Sequence, residues 1–128
     1  MMAVDTSALM AILLDEPQSD ACIVALEAED DILISAGTVA EALIVAARRN
    51  VGAEMTSIID GLGFEVVPVT AVAARRIAEA YARWGKGLAR RGALNFGDCF
   101  AYEVAKERGC RLLFIGDDFV RTDIKSVL

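Results

Sequence analysis

The sequence predicts an α/β fold, a three-layer α/β/α arrangement with a central parallel sheet of four to five strands, in a single domain over residues 1–128. Two observations carry that expectation. Short apolar runs alternate with longer segments of helical periodicity along the whole chain, the pattern of parallel strands joined by crossover helices. The runs Met2-Ala3-Val4 and Ile32-Leu33-Ile34 are apolar at every position, as strands covered on both faces are. No linker, repeat or low-complexity segment divides the chain, and 128 residues is an ordinary size for one domain.

The elements follow in order. Met2-Ala3-Val4 is a central strand that ends on Asp5. Ser7 to Leu14 reads as a helix, broken by Asp15-Glu16-Pro17, with Pro17 suited to the first turn of the next. That helix runs from about Gln18 to Ala28, with Cys22, Ile23 and Leu26 on one face. Ile32 to Ile34 is the second strand. Ser35 to Arg49 is a strong helix signal, with Val39, Leu43 and Ala46-Ala47 at helical spacing, closed by Asn50-Val51-Gly52. Ala53 to Leu62 is a further helix, Phe64 to Val67 a third strand with Pro68 at its edge, and Ala71 to Trp84 a long amphipathic helix carrying Val72, Ile77, Ala80 and Tyr81. A basic loop with Lys86, Arg90 and Arg91 follows. Asn95 then caps a helix that ends at Gly109, with Asp98 at the third helical position. Arg111 to Ile115 is the fourth strand, Gly116 to Phe119 a turn, and Thr122 to Leu128 a short edge strand.

Composition narrows the chemistry. There is no histidine, so a Ser-His-Asp or Cys-His mechanism and any His-ligated metal are excluded. Cys22, Cys99 and Cys110 are odd in number and lack a CxxC spacing, which reads as reduced thiols. The net charge of −6 argues against nucleic-acid binding by bulk charge. It does not exclude a nuclease whose acidic cluster is neutralised by a cation. No apolar run reaches the ~18 residues of a membrane span, and no signal peptide is visible, so a cytoplasmic protein is expected.

Four acidic positions fall at strand ends or early in helices: Asp5, Glu41, Asp98 and the pair Asp117-Asp118. In a parallel sheet those places share one edge, where ligands of open α/β sheets bind. Each acid alone has a structural explanation. Asp5 can cap a helix, Thr38-x-x-Glu41 spells a capping box, Asp98 suits a helix start, and Asp117-Asp118 suits a turn. Separate structural roles do not explain why all of them share one edge. Oxygen ligands without His or Cys suit Mg²⁺ or Mn²⁺, which activate water for attack on phosphate. The Lys86-Arg90-Arg91 cluster is either a phosphate contact or a solvated loop.

These residues also resemble a known family, the PIN-domain ribonucleases, and in particular the VapC toxins of VapBC toxin–antitoxin pairs. The resemblance rests on Val4-Asp5-Thr6-Ser7-Ala8-Leu9, Glu41, Leu94-Asn95-Phe96-Gly97-Asp98-Cys99-Phe100, Leu112 to Phe119 and Thr122-Asp123-Ile124. It covers the whole chain in order. It implies a Mg²⁺- or Mn²⁺-dependent endoribonuclease held inactive by a cognate VapB-type antitoxin. Asp5, Glu41, Asp98 and Asp118 carry over as the catalytic and metal-binding acids, because the family places the carboxylate immediately before Phe, which favours Asp118 over Asp117. Thr6 or Ser7 would orient Asp5 or a metal-bound water. Apart from the resemblance, a homodimer through the apolar helices of residues 18–28 and 35–62 is expected from the mean hydropathy of +0.45. The rival reading is a non-catalytic, receiver-like signalling or binding domain. Such domains want an acidic pair after the first strand and a lysine after the last, where this chain has Asp5 alone and Ile115-Gly116.

Overall fold

The computed structural model describes residues Met1–Leu128. Four parallel strands form one sheet: β1 (Met2–Val4), β2 (Ile32–Ser35), β3 (Glu65–Val67) and β4 (Arg111–Leu113). Their spatial order is β3-β2-β1-β4. Six helices connect them: α1 (Thr6–Leu13), α2 (Ser19–Glu27), α3 (Ala36–Arg48), α4 (Gly52–Gly61), α5 (Ala71–Trp84) and α6 (Phe96–Arg108). The first two crossovers step outward from β1, and the third returns to its other side. The order therefore reverses between β1 and β4, which makes their carboxyl ends the switch point where such sheets bind ligands. Receiver-type domains order their strands 2-1-3-4-5, so the rival reading does not match this topology.

Alternation along the strands builds two cores. Met2, Val4, Ile32, Ile34 and Leu113 face α1 to α4, where Leu9, Cys22, Ala42, Ala46 and Met55 are buried. Ala3, Leu33, Leu112 and Phe114 face the other way, against Ile77 and Ala80 of α5 and Tyr102 and Val104 of α6. This period of two is what a strand with both faces covered requires. It gives the expected three layers.

Several details differ from the sequence reading. The buried stripe of α3 is Thr38, Ala42 and Ala46; of the expected Val39, Leu43 and Ala46-Ala47, Ala46 is buried and Val39 packs against the core, but Leu43 is 37% exposed and Ala47 faces outward. Apolar residues occur on both sides of α3, so periodicity alone did not orient it. Val72 of α5 is exposed. Pro17 lies one residue before Gln18, the N-cap of α2, not inside the helix. β4 stops at Leu113 because the partner strand ends: Asp5 N–H donates to Leu113 O, and the next free amide, Ile115 N–H, turns to Ser7 Oγ at 3.0 Å. The tail makes only a single bridge, Leu112 with Ser126, and no further strand.

Candidate active site

Asp5 ends β1 and caps α1. Its Oδ2 accepts the Ser7 amide at 3.1 Å and the Ser7 hydroxyl at 2.6 Å. Ser7 Oγ also accepts Ile115 N–H. One hydroxyl thus ties the ends of β1 and β4 together and fixes the Asp5 carboxylate between them. The second oxygen, Asp5 Oδ1, is buried with no hydrogen-bond partner. Burial pushes Asp5 up to about 6, against the Ser7 hydrogen bonds, which lower it. The nearby charge of Glu41 raises it further.

Asp98 stands at the third position of α6. Its Oδ2 accepts the Asn95 amide at 2.9 Å, and Asn95 Oδ1 accepts the Asp98 amide at 2.8 Å, a reciprocal capping box. Asp98 is buried and pushed up to about 7, first by desolvation, then by Asp5 and Asp118. Asp118 is the acid that reaches Asp98, whereas Asp117 is exposed. Gly116, at φ +97°, provides the left-handed turn that leads into this pair.

Glu41 accepts the Thr6 hydroxyl on Oε1 at 2.6 Å. The Thr38-Glu41 capping box does not form. Ser35 caps α3 by accepting the Gly37 amide, and Thr38 Oγ1 is buried without a partner. Glu41 is released to lie against the first turn of α6, where a Cβ on Gly97 would overlap its carboxylate. Glycine at 97 is therefore a space requirement of Glu41. Sequence reasoning missed it, and missed the Ser7–Ile115 link; neither contact leaves a mark in local spacing.

Asp5, Glu41, Asp98 and Asp118 thus lie at one edge, linked by Coulomb coupling and by neighbouring chain segments. No three acidic side chains are drawn close enough to enclose an ion unaided. A hard cation would be held by one or two carboxylates with water filling the rest of its shell, which is how Mg²⁺ is usually bound. The unpartnered Asp5 Oδ1 is a donor such an ion would satisfy. A thiol nucleophile is not available beside this cluster: burial, then the charge of Asp98, pushes Cys99 up to about 11, and all three cysteines are free.

The strand order and the acids at the switch point define the class, an α/β/α domain with acidic residues at the carboxyl edge of a parallel sheet. The chain belongs to the PIN-domain family, whose model matches residues 2–125. It is 42% identical to the VapC ribonuclease Mb0640 of Mycobacterium bovis over 129 residues, 98% of each chain. It is 36% identical to the ribonuclease VapC42 of Mycobacterium tuberculosis, over 97% of each chain. In fold it is similar to VapC20 of M. tuberculosis, described as a toxin cleaving the Sarcin-Ricin loop: TM-score 0.82, 17% identity, covering 99% of this chain and 98% of that one. A toxin–antitoxin complex from Klebsiella pneumoniae gives TM-score 0.70 at 18% identity, over 96% and 93%. No helix is long and apolar enough to cross a membrane.

Proposed function

We propose that the protein is a divalent-metal-dependent endoribonuclease and the toxin of a toxin–antitoxin pair. The observation that supports this best is the buried, unpartnered Asp5 Oδ1 among the acids at the carboxyl edge of the sheet, on a chain with full-length ribonuclease relatives. Asp5 and Asp98 would hold Mg²⁺ or Mn²⁺, with Glu41 and Asp118 completing the shell partly through water. When bound, the ion supplies a water of lowered pKa and neutralises charge on the phosphate. The chain's own residues do the rest. Ser7 orients Asp5, Thr6 orients Glu41, and the Asn95 capping box orients Asp98. Where Glu41 and Asp118 act through water and not as direct ligands, their carboxylates would be the groups at this edge able to take a proton from it.

A protein antitoxin would cover this crevice and place an arginine or lysine among the carboxylates, competing with the cation. The toxin itself would be a homodimer through α2, α3 and α4, where Val24 (64%), Ile44 (57%) and, at the C-cap of α4, Leu62 (44%) are exposed. The test is RNA cleavage by the purified protein with Mg²⁺ or Mn²⁺ and with chelator, beside growth on expression alone and with the neighbouring small gene. Metal-dependent cleavage, growth arrest and rescue are expected. An inert, harmless protein would refute the reading.

A further inference from the structure

Four exposed arginines, Arg83, Arg90, Arg91 and Arg121, line one cleft of about 710 Å³ together with Trp84 and Ala89. On a chain with net charge −6 this is a local inversion of sign. Arg90, Arg91 and Arg121 have no carboxylate partner, and Arg83 is 3.9 Å from Asp123, whose closer partner is Lys106 at 2.7 Å. The contrast with the neighbouring α5–α6 groove is informative: there Arg76 meets Glu103 at 3.0 Å and Glu107 at 3.5 Å, so its charge is already matched.

The loop that presents Arg90 and Arg91 is built. Its base is closed by Lys86 N–H to Leu94 O and by Ala93 and Leu94 N–H to Trp84 O. The Tyr81 hydroxyl donates to Lys86 O, and Arg121 Nη1 donates to Arg91 O. A Cβ on Gly92 would overlap the Gly85 carbonyl, so the two ends of the loop are in close contact. Arg83 lies over the Trp84 ring at 4.7 Å. The backbone that carries Arg90 and Arg91 is therefore tied down, and Arg83 and Arg121 have contacts of their own, which lowers the ordering cost of binding an anion.

The cleft is also placed by the chain. The loop bearing Arg90 and Arg91 runs directly into Asn95 and Asp98, and Arg121 follows Asp118 by three residues. Resting on the ribonuclease reading above, we propose that the arginine cleft binds the phosphodiester backbone of single-stranded RNA beside the acidic crevice and so sets the strand's position there. An acidic crevice repels the polyanion it is to cut, and a flanking guanidinium cluster supplies the missing attraction, with forked donors that match phosphate.

The test compares wild type with Arg90→Gln/Arg91→Gln and the charge-keeping Arg90→Lys/Arg91→Lys. The probe is a fluorescent, mixed-sequence single-stranded RNA bound in chelator, and cleavage of the same RNA is followed with Mg²⁺. Two lost phosphate contacts reduce the slope of log K against log salt by about 1.4, so between 50 and 200 mM salt wild type should lose about sevenfold more affinity than the Gln pair. KM for cleavage should rise with kcat unchanged, melting temperature should hold, and the Lys pair should keep the wild-type slope. Wild type that binds and cuts RNA, beside a Gln pair with the same slope and KM, overturns this proposal but not the ribonuclease reading. A Gln pair that keeps RNA binding but loses affinity for the antitoxin assigns the cleft to the protein partner and also overturns it. Wild type that neither binds nor cuts RNA overturns both.

Discussion

Replacing Asp98 by Asn separates a charge built for a ligand from a charge built for a helix. The folded protein without metal holds Asp98 at about 7, against an ordinary 3.8. The native state thus binds this proton more tightly than the unfolded state does. Its stabilising contribution is complete below about pH 4 and is lost as pH rises through about 7. Three units correspond to roughly 4 kcal/mol lost by pH 8, an upper bound for a carboxylate coupled to Asp5 and Asp118. Asn has nearly the same shape and keeps an oxygen for the Asn95 amide. It gives up a dipole contribution of about 0.3–1 kcal/mol and the charge assistance of that hydrogen bond.

The net expectation is that Asp98→Asn is about 2 kcal/mol more stable than wild type at pH 8 in chelator, roughly 6–10 °C in melting temperature for a chain of this size. The gain should vanish near pH 4. A ligand at a hundredfold excess over Kd stabilises by about 2.7 kcal/mol, so Mg²⁺ should close or reverse the gap by stabilising wild type alone. RNA cleavage should fall by orders of magnitude. Melting curves at two pH values, with and without Mg²⁺, carry the comparison. A variant that is destabilised in chelator at pH 8 and still cuts RNA would refute the reasoning, because it would make Asp98 a helix-capping residue and nothing more.

Wild type in chelator should lose stability between about pH 4 and pH 7, on the order of 3 kcal/mol from Asp5 alone, whose carboxyl is raised to about 6; urea titrations across that range would show it, and Mg²⁺ should flatten the fall. Gly97→Ala places a methyl where the Glu41 carboxylate lies, so cleavage should drop at least tenfold with a stability change within about 1–3 kcal/mol; unchanged cleavage would mean Glu41 is not needed in that position. Ser7→Ala leaves Ile115 N–H without its acceptor and Asp5 with fewer donors, costing about 1–3 kcal/mol by thermal melting. A neutral result there would show that β1 and β4 are held together without it.

Most of the fold was legible because its signals are local. Apolar triplets buried on both faces mark β1 and β2, and Asn95 with Asp98 marks the start of α6 before any contact is known. The orientation of α3 was only partly legible: Val39 and Ala46 do face the core, but Leu43 does not. Ala-Leu-Ile-Val-Ala-Ala supplies apolar residues on every side, and only packing against the rest of the fold selects Thr38, Ala42 and Ala46 as the inner stripe. Likewise β3 reads as an ordinary strand, yet as an edge strand it leaves Val66 47% exposed. The candidate acids could be grouped in advance because strand ends and helix starts of a parallel sheet share an edge, which is a statement about topology; the choice of Asp118 over Asp117 came from the family resemblance. The contacts that set their geometry, Thr6 to Glu41 and Ser7 to Ile115, span 35 and 108 residues. No spacing rule reaches that far. Arg121 joined Arg90 and Arg91 in one cleft for the same reason.

For two of the four acids, the helix-capping role and the proposed metal-binding role are compatible with one geometry. Asp5 caps α1 with Oδ2 alone, and Oδ1 remains buried and unpartnered. Asp98 caps α6 with Oδ2 while the charges of Asp5 and Asp118 bear on it. A carboxylate has two oxygens, and a cap uses one. At Asp5 the cap stands at a strand end of the switch point, so the oxygen it leaves free is held there in a fixed orientation. Glu41 is the counterexample that supports the rule. The sequence offered it a capping partner in Thr38, and the fold declined it: Ser35 took the cap, and the Glu41 side chain went to Thr6 and Gly97. Had Glu41 served only α3, the nearer partner would have been sufficient. Its reach across to α1 and α6 is what the proposed acidic site requires and what a single helix does not.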